Sequence, residues 1–137
     1  MKKTWLALTL GFLGCGAVAF AAGSINMEEG LWEISSTINM PGMIMPPTTF
    51  TQCISKEELV PHNHQPGQDC TMDKVIQQGD RVTWTLRCDT PGGTMHGQGS
   101  ITYKGTTFSG DMKMLIDAHQ GMHMNSRMEG RRIGPCP

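Results

Sequence analysis

The sequence predicts an all-β fold: an antiparallel meander of about seven strands, forming a curved sheet or small barrel, with one short helix and two disulfides. Three observations carry that expectation. Nearly every segment after Gly30 alternates apolar and polar residues with period two. Each is bounded by Gly, Pro, Asn or Asp. Four cysteines, Cys53, Cys70, Cys88 and Cys136, follow an N-terminal stretch built like an export signal.

That stretch comes first in the chain. Met1-Lys2-Lys3 is a positive start, Trp5 to Ala22 is an apolar run, and Ala19-Phe20-Ala21 has the small-x-small pattern of a cleavage site. A cut after Ala21 divides the chain into a signal peptide, 1–21, and a single β domain, 22–137. The 137-residue chain less 21 leaves 116 residues, enough for one domain. No second apolar run follows, so a periplasmic protein with no transmembrane span after cleavage is expected. Leu13-Gly14-Cys15 partly matches a lipoprotein acceptor. Phe12 stands where such a site takes Leu, however, and the apolar run continues past Cys15, so anchoring at Cys15 is the lesser expectation. Without Lys2 and Lys3, nine basic residues face twelve acidic ones, a net charge of −3. There is no basic run, which argues against nucleic acid as a partner.

In the first strand Trp32, Ile34, Ile38 and Met40 share one face, with Ser36 the polar exception. The turn Met40-Pro-Gly-Met-Ile-Met-Pro-Pro47 leads into a Thr-rich second strand, Thr48 to Ile54. Ser55-Lys-Glu-Glu58 has the form of a capping box, so a short helix is expected there, ending at Pro61. Folding Cys70–Gln77 onto Arg81–Cys88 around Gln78-Gly79-Asp80 sets Cys70 against Cys88, Met72 against Leu86, Lys74 against Trp84 and Ile76 against Val82. Cysteines opposite one another across a hairpin are near enough to bridge. Of the three connectivities this selects Cys70–Cys88 with Cys53–Cys136. A second hairpin turns at Lys104-Gly105. Pairing Tyr103 with Thr106 sets Ile101 against Phe108, Gly99 against Gly110 and Met95 against Met114, and the paired glycines suggest a bend or a close approach. After a turn at His119-Gln-Gly121, a last strand would turn Met122, Met124, Met128 and Gly130 inward.

These segments form an ordered set: Gly30-Leu-Trp-Glu33, Met40-Pro-Gly-Met43, Gln52-Cys53, Val82-Thr-Trp-Thr85 with Cys88, Tyr103-Lys-Gly-Thr-Thr-Phe-Ser-Gly110, Met112-Lys-Met114 and Gly130-Arg-Arg-Ile-Gly-Pro-Cys136. The set resembles domain-of-unknown-function family 3617, small exported bacterial proteins, over nearly all of the mature chain. The resemblance implies an exported, disulfide-bonded β domain with no established activity and no catalytic residues to carry over. The loop Pro61-His-Asn-His-Gln65 is not part of that pattern.

Function has three readings, the third being a passive structural or interaction module whose methionines only fill the core. The first is a non-enzymatic periplasmic protein that binds a small apolar ligand, a lipid or an envelope protein. Met95, Met112, Met114, Met122 and Met124 would supply its methionine-lined face. Methionine is a flexible gap-filler, so such a face suits both core packing and a pliable pocket. The alternative is a soft-metal protein. Thioethers and imidazoles suit copper, and Met43 and Met45 in the turn, with His62 and His64 in the polar loop, are the candidate ligands. Met122, His123 and Met124 cannot chelate one ion from an extended strand, because successive side chains point to opposite faces. Enzyme chemistry finds no motif. There is no phosphate-cradling glycine loop, no placed nucleophile, and the cysteines are expected in disulfides. No cofactor beyond possible copper is expected.

Overall fold

The computed structural model describes residues 23–62, 69–117 and 121–137; the expected signal peptide, with its expected cut site and Cys15, lies outside them. Eight antiparallel strands form one sheet: β1 (Gly30–Met40), β2 (Met43–Ile44), β3 (Thr48–Ile54), β4 (Asp69–Gln78), β5 (Arg81–Thr90), β6 (Gly93–Lys104), β7 (Thr107–Ile116) and β8 (Met122–Gly134). The strand beyond the expected seven is the two-residue β2, which the methionine turn folds back onto β1. Strands β4 to β8 are the expected meander. The first strand is not at the meander's edge. It lies between β3 and β8 and is hydrogen-bonded on both sides. Trp32 and Ile34 on this doubly paired strand are fully buried. The end strands β3 and β4 do not pair with each other, so the sheet is not closed into a barrel.

Both disulfides have the expected pairing, Cys53 with Cys136 and Cys70 with Cys88. Cys70 and Cys88 stand opposite one another in the β4–β5 ladder, as do Met72 and Leu86. Beyond Asp73 the expected register fails. Lys74 and Val75 together stand against Trp84, and pairing resumes with Ile76 on Thr83 and Gln77 on Val82. This is a β-bulge, and Lys74 takes a positive φ of 51° within it. The bulge swaps faces: Val75 turns to the apolar side, and Ile76 turns outward. It also kinks an edge strand and places a lysine on it, both of which discourage pairing with another chain.

The β6–β7 hairpin is two residues out of the expected register. Its loop is Gly105-Thr106, so Tyr103 faces Phe108, Ile101 faces Gly110, Gly99 faces Met112 and Gly97 faces Met114. A shift of two keeps every side chain on its face. The glycines mark close approach: a Cβ at Gly99 would overlap the Trp84 indole, and one at Gly130 would overlap the Phe108 ring.

The expected helix after Ser55 is absent. Glu58 N–H donates to the Ser55 carbonyl at 3.1 Å, a single turn that is not propagated. Tertiary contacts outbid the capping box. Glu29 accepts from Lys56 N–H at 2.8 Å, Val60 is buried in the core, and the Tyr103 hydroxyl donates to the Leu59 carbonyl at 2.6 Å. With Pro61 ending the segment, too few residues remain for a helix to offset those contacts. The segment Ser55–His62 is instead a strap over the apolar side of the sheet.

The core sits at one end of that side. Trp32, Tyr103 and Phe108 meet with ring centroids 5.4–5.7 Å apart, packed with Ile34, Ile54, Val82 and Ile101. The residues before β1 cap this end. Ile25 and Met27 are buried, Gly105 N–H donates to the Asn26 carbonyl, and Asn26 N–H donates to Asp80. Burial pushes the Tyr103 phenol well above its usual range, because ionising it there would strand a charge without water. The folded state therefore holds this proton more tightly than the unfolded chain does. Its contribution is complete below about pH 10, the ordinary phenol value, and is lost as pH rises beyond it. Tyr103→Phe is expected to cost about 1 kcal/mol at neutral pH, for the bond to Leu59. It should also flatten the fall in stability above about pH 10. Denaturant titrations at pH 7 and at alkaline pH check both parts.

Candidate functional site

Above the core, the same side of the sheet is hollow. The cavity has a volume of about 790 Å³ and is bounded by strands from both ends of the sheet order, so the sheet bends around it. Trp84, Phe50 and Met128 lie at the core end, continuous with the hydrophobic cluster. The walls are Ile38 of β1, Met72 and Val75 of β4, Leu86 of β5, Met95 of β6, Met112 and Met114 of β7, and Met124 of β8. The β-ladder explains the concentration of thioethers: Met114 stands directly opposite Met124, and Gly97 on its other side adds no bulk. The disulfide Cys70–Cys88 forms part of the wall, and the strap contributes Glu57 to His62. The lining also carries Thr48, Glu57 and Asp69, and others of its polar groups are bonded. Ser36 and Ser126 bond at 2.8 Å, and His62 engages Gln52, the Val60 carbonyl and Glu58, the last at 3.3 Å. Among the described residues, the Trp84 indole N–H is a buried donor with no acceptor, so packing alone holds that ring.

The family model for a protein of unknown function, DUF3617, matches residues 27–136. The chain belongs to the DUF3617 family. No curated protein and no solved structure matches it. The match spans all eight strands and both disulfides, so the methionine-lined hollow lies wholly within the DUF3617 domain.

Of the five methionines expected to face a ligand, Met95, Met112, Met114 and Met124 line the hollow of this DUF3617 domain. Met122 does not; it lies at the start of β8 and is exposed. The set expected to face a ligand left out the aromatic and aliphatic part of the lining. Trp84, Leu86 and Ile38 lie on the predicted apolar faces and are found by that signal alone. The strap residues Leu59 and Val60 have no such signal, because they belong to no strand.

Of the proposed metal ligands only His62 lines the cavity among the described residues. Met43 and Met45 stand on the β1–β2 tip and are exposed. His62 is on the strap, and His64 lies outside the described residues, as does His119. His96 pairs with Asp117 at 3.2 Å on the surface. Among the described residues, no three His, Cys, Asp or Glu side chains come together as a metal centre. No helix among them is long and apolar enough to cross a membrane.

Proposed function

We propose that this DUF3617 protein is an exported, non-enzymatic binding protein that holds a small apolar or single-chain amphiphilic ligand in its methionine-lined cavity. The observation that carries the reading is the cavity itself: about 790 Å³, walled by Met, Leu, Ile, Trp and Phe. Sites for small molecules run from about 300 to 1,000 Å³, are mostly apolar and carry few polar groups. Methionine side chains are unbranched and polarisable, so such a wall adapts to ligands of differing shape. The disulfides, the export signal and the absence of a nucleophile motif agree with a role in binding outside the cytoplasm.

The test is titration of the purified protein with an uncharged naphthylamine probe whose fluorescence rises in apolar surroundings, read together with quenching of Trp84. Met114→Trp fills the centre of the wall and is expected to weaken probe binding at least about tenfold, a loss of roughly 1.4 kcal/mol or more. Met43→Leu with Met45→Leu is expected to leave it unchanged, because neither side chain reaches the cavity. A folded Met114→Trp protein that binds the probe as tightly as wild type would overturn the reading. Copper(I) uptake lost in the Met43→Leu, Met45→Leu protein would favour the soft-metal alternative instead. Native mass spectrometry of the protein taken from the periplasm would then identify the natural ligand by its added mass.

A further inference from the structure

We infer that the β1–β2 tip, Met43-Ile44-Met45, seats the protein on a lipid bilayer with the cavity end of the sheet turned toward the membrane. The tip is the most exposed apolar feature among the described residues. Met43 is 60%, Ile44 100% and Met45 37% exposed. Such side chains on a soluble surface are usually scattered singly; three in sequence on a projecting turn mark a contact site. The surrounding sequence suits an apolar medium. From Ile34 to Ser55, 22 consecutive residues carry no charge, so the tip's own segment brings no ionised group to desolvate as it enters an interface, while Asp69, Asp89 and Asp117 stand further along the same end of the sheet. Pro41, Pro46 and Pro47 bring no backbone N–H, which reduces the donors that lipid would leave unsatisfied. Part of the remaining backbone bonding is internal, because Asn39 pairs with Ile44 and Met40 with Met43.

The tip and the cavity share one end of the sheet. Asn39 of β1 pairs with Asn125 of β8, next to Met124 of the cavity wall. Met122, 44% exposed, lies three residues beyond that pair toward the same end. The opposite end is filled by Trp32, Tyr103 and Phe108 and capped by Ile25 and Met27. A specific protein partner buries about 800 Å² on each side. Three side chains on a two-residue strand and its turn offer much less, whereas shallow insertion into a bilayer needs only a few apolar side chains. The direction in which the cavity faces matters only if the binding role proposed above holds; the seating itself stands apart from it.

Flotation of the full mature protein with phosphatidylethanolamine–phosphatidylglycerol vesicles tests the seating. Wild type is expected to float with the vesicles at both low and high salt, since the attraction is apolar. Met43→Ser with Ile44→Ser and Met45→Ser is expected to lower the partition coefficient at least about tenfold. That variant changes only exposed residues, and the naphthylamine titration confirms that its cavity is intact. The cavity-filled Met114→Trp protein is expected to float as wild type does, so the seating and the binding role can fail separately. Wild type remaining with the soluble fraction, or a serine variant that floats equally well, overturns the inference. Flotation abolished by salt also overturns it, assigning the contact to surface charge.

Discussion

Replacing Cys53 and Cys136 together by serine is expected to lower the unfolding free energy by about 4.5 kcal/mol, and replacing Cys70 and Cys88 together by about 3 kcal/mol. The difference follows from the loops they close. The first bridge spans a sequence separation of 83 and the second one of 18, and a longer loop removes more entropy from the unfolded chain. Removing both partners avoids leaving a lone thiol free to exchange. Topology adds to the asymmetry. Cys70 and Cys88 already face each other in a ladder that the hairpin turn enforces. Cys53 is on β3, which among the described residues pairs only with β1, and Cys136 follows β8 on the other side of β1; Leu31 pairs with both Cys53 and Gly134. Their Cα atoms are 5.5 Å apart, so the bridge closes over the start of β1 and fixes the free edge strand to the chain terminus. Guanidinium unfolding of the two double variants, with wild type alongside, gives the comparison. Equal losses, or a larger loss for the hairpin pair, would show that loop entropy does not govern these bridges.

The parts of this fold legible in the sequence are those decided by neighbours in the chain. Period-two alternation identified the inward faces of β5, β6, β7 and β8, and a register error of two in the β6–β7 hairpin left those faces intact. Cys70 opposite Cys88 was legible because a tight turn lies between them. The bulge at Lys74 and Val75 was not, since nothing local announces that two residues will share one partner. The sequence offered Ile76 to the interior, and the bulge supplied Val75. The capping box at Ser55 to Glu58 was a sound local signal overruled by Tyr103 and Glu29, which lie 48 and 26 residues away from Ser55 along the chain. The position of β1 between β3 and β8 joins the two ends of the chain, and no local pattern encodes it. The cavity follows the same division. Its methionines were legible as a face, while its existence depends on the sheet bending without closing and on the strap that crosses it.

The second large effect concerns the aromatic cluster below the cavity. Phe108 and Gly130 are directly opposite one another in the β7–β8 ladder, and the Phe108 ring occupies the space a side chain at Gly130 would need. The ring also meets Trp32 and Tyr103 at 5.7 and 5.4 Å between centroids. Phe108→Ala is expected to cost about 3–5 kcal/mol, combining lost burial with the void left beneath Trp32. Gly130→Leu is expected to cost at least roughly 1–3 kcal/mol, because the ring has no room to retreat within a filled core. Placed together the two changes exchange volume across the strand pair: the leucine enters the space that the ring vacates. The double variant is therefore expected to be more stable than the sum of the single losses predicts, by about 1–3 kcal/mol in a double-mutant cycle. Strictly additive losses would mean that the glycine is required by the backbone at that position rather than by the ring. Recovery would establish that the missing side chain at Gly130 and the ring at Phe108 form one packing unit, the floor on which the methionine-lined cavity stands.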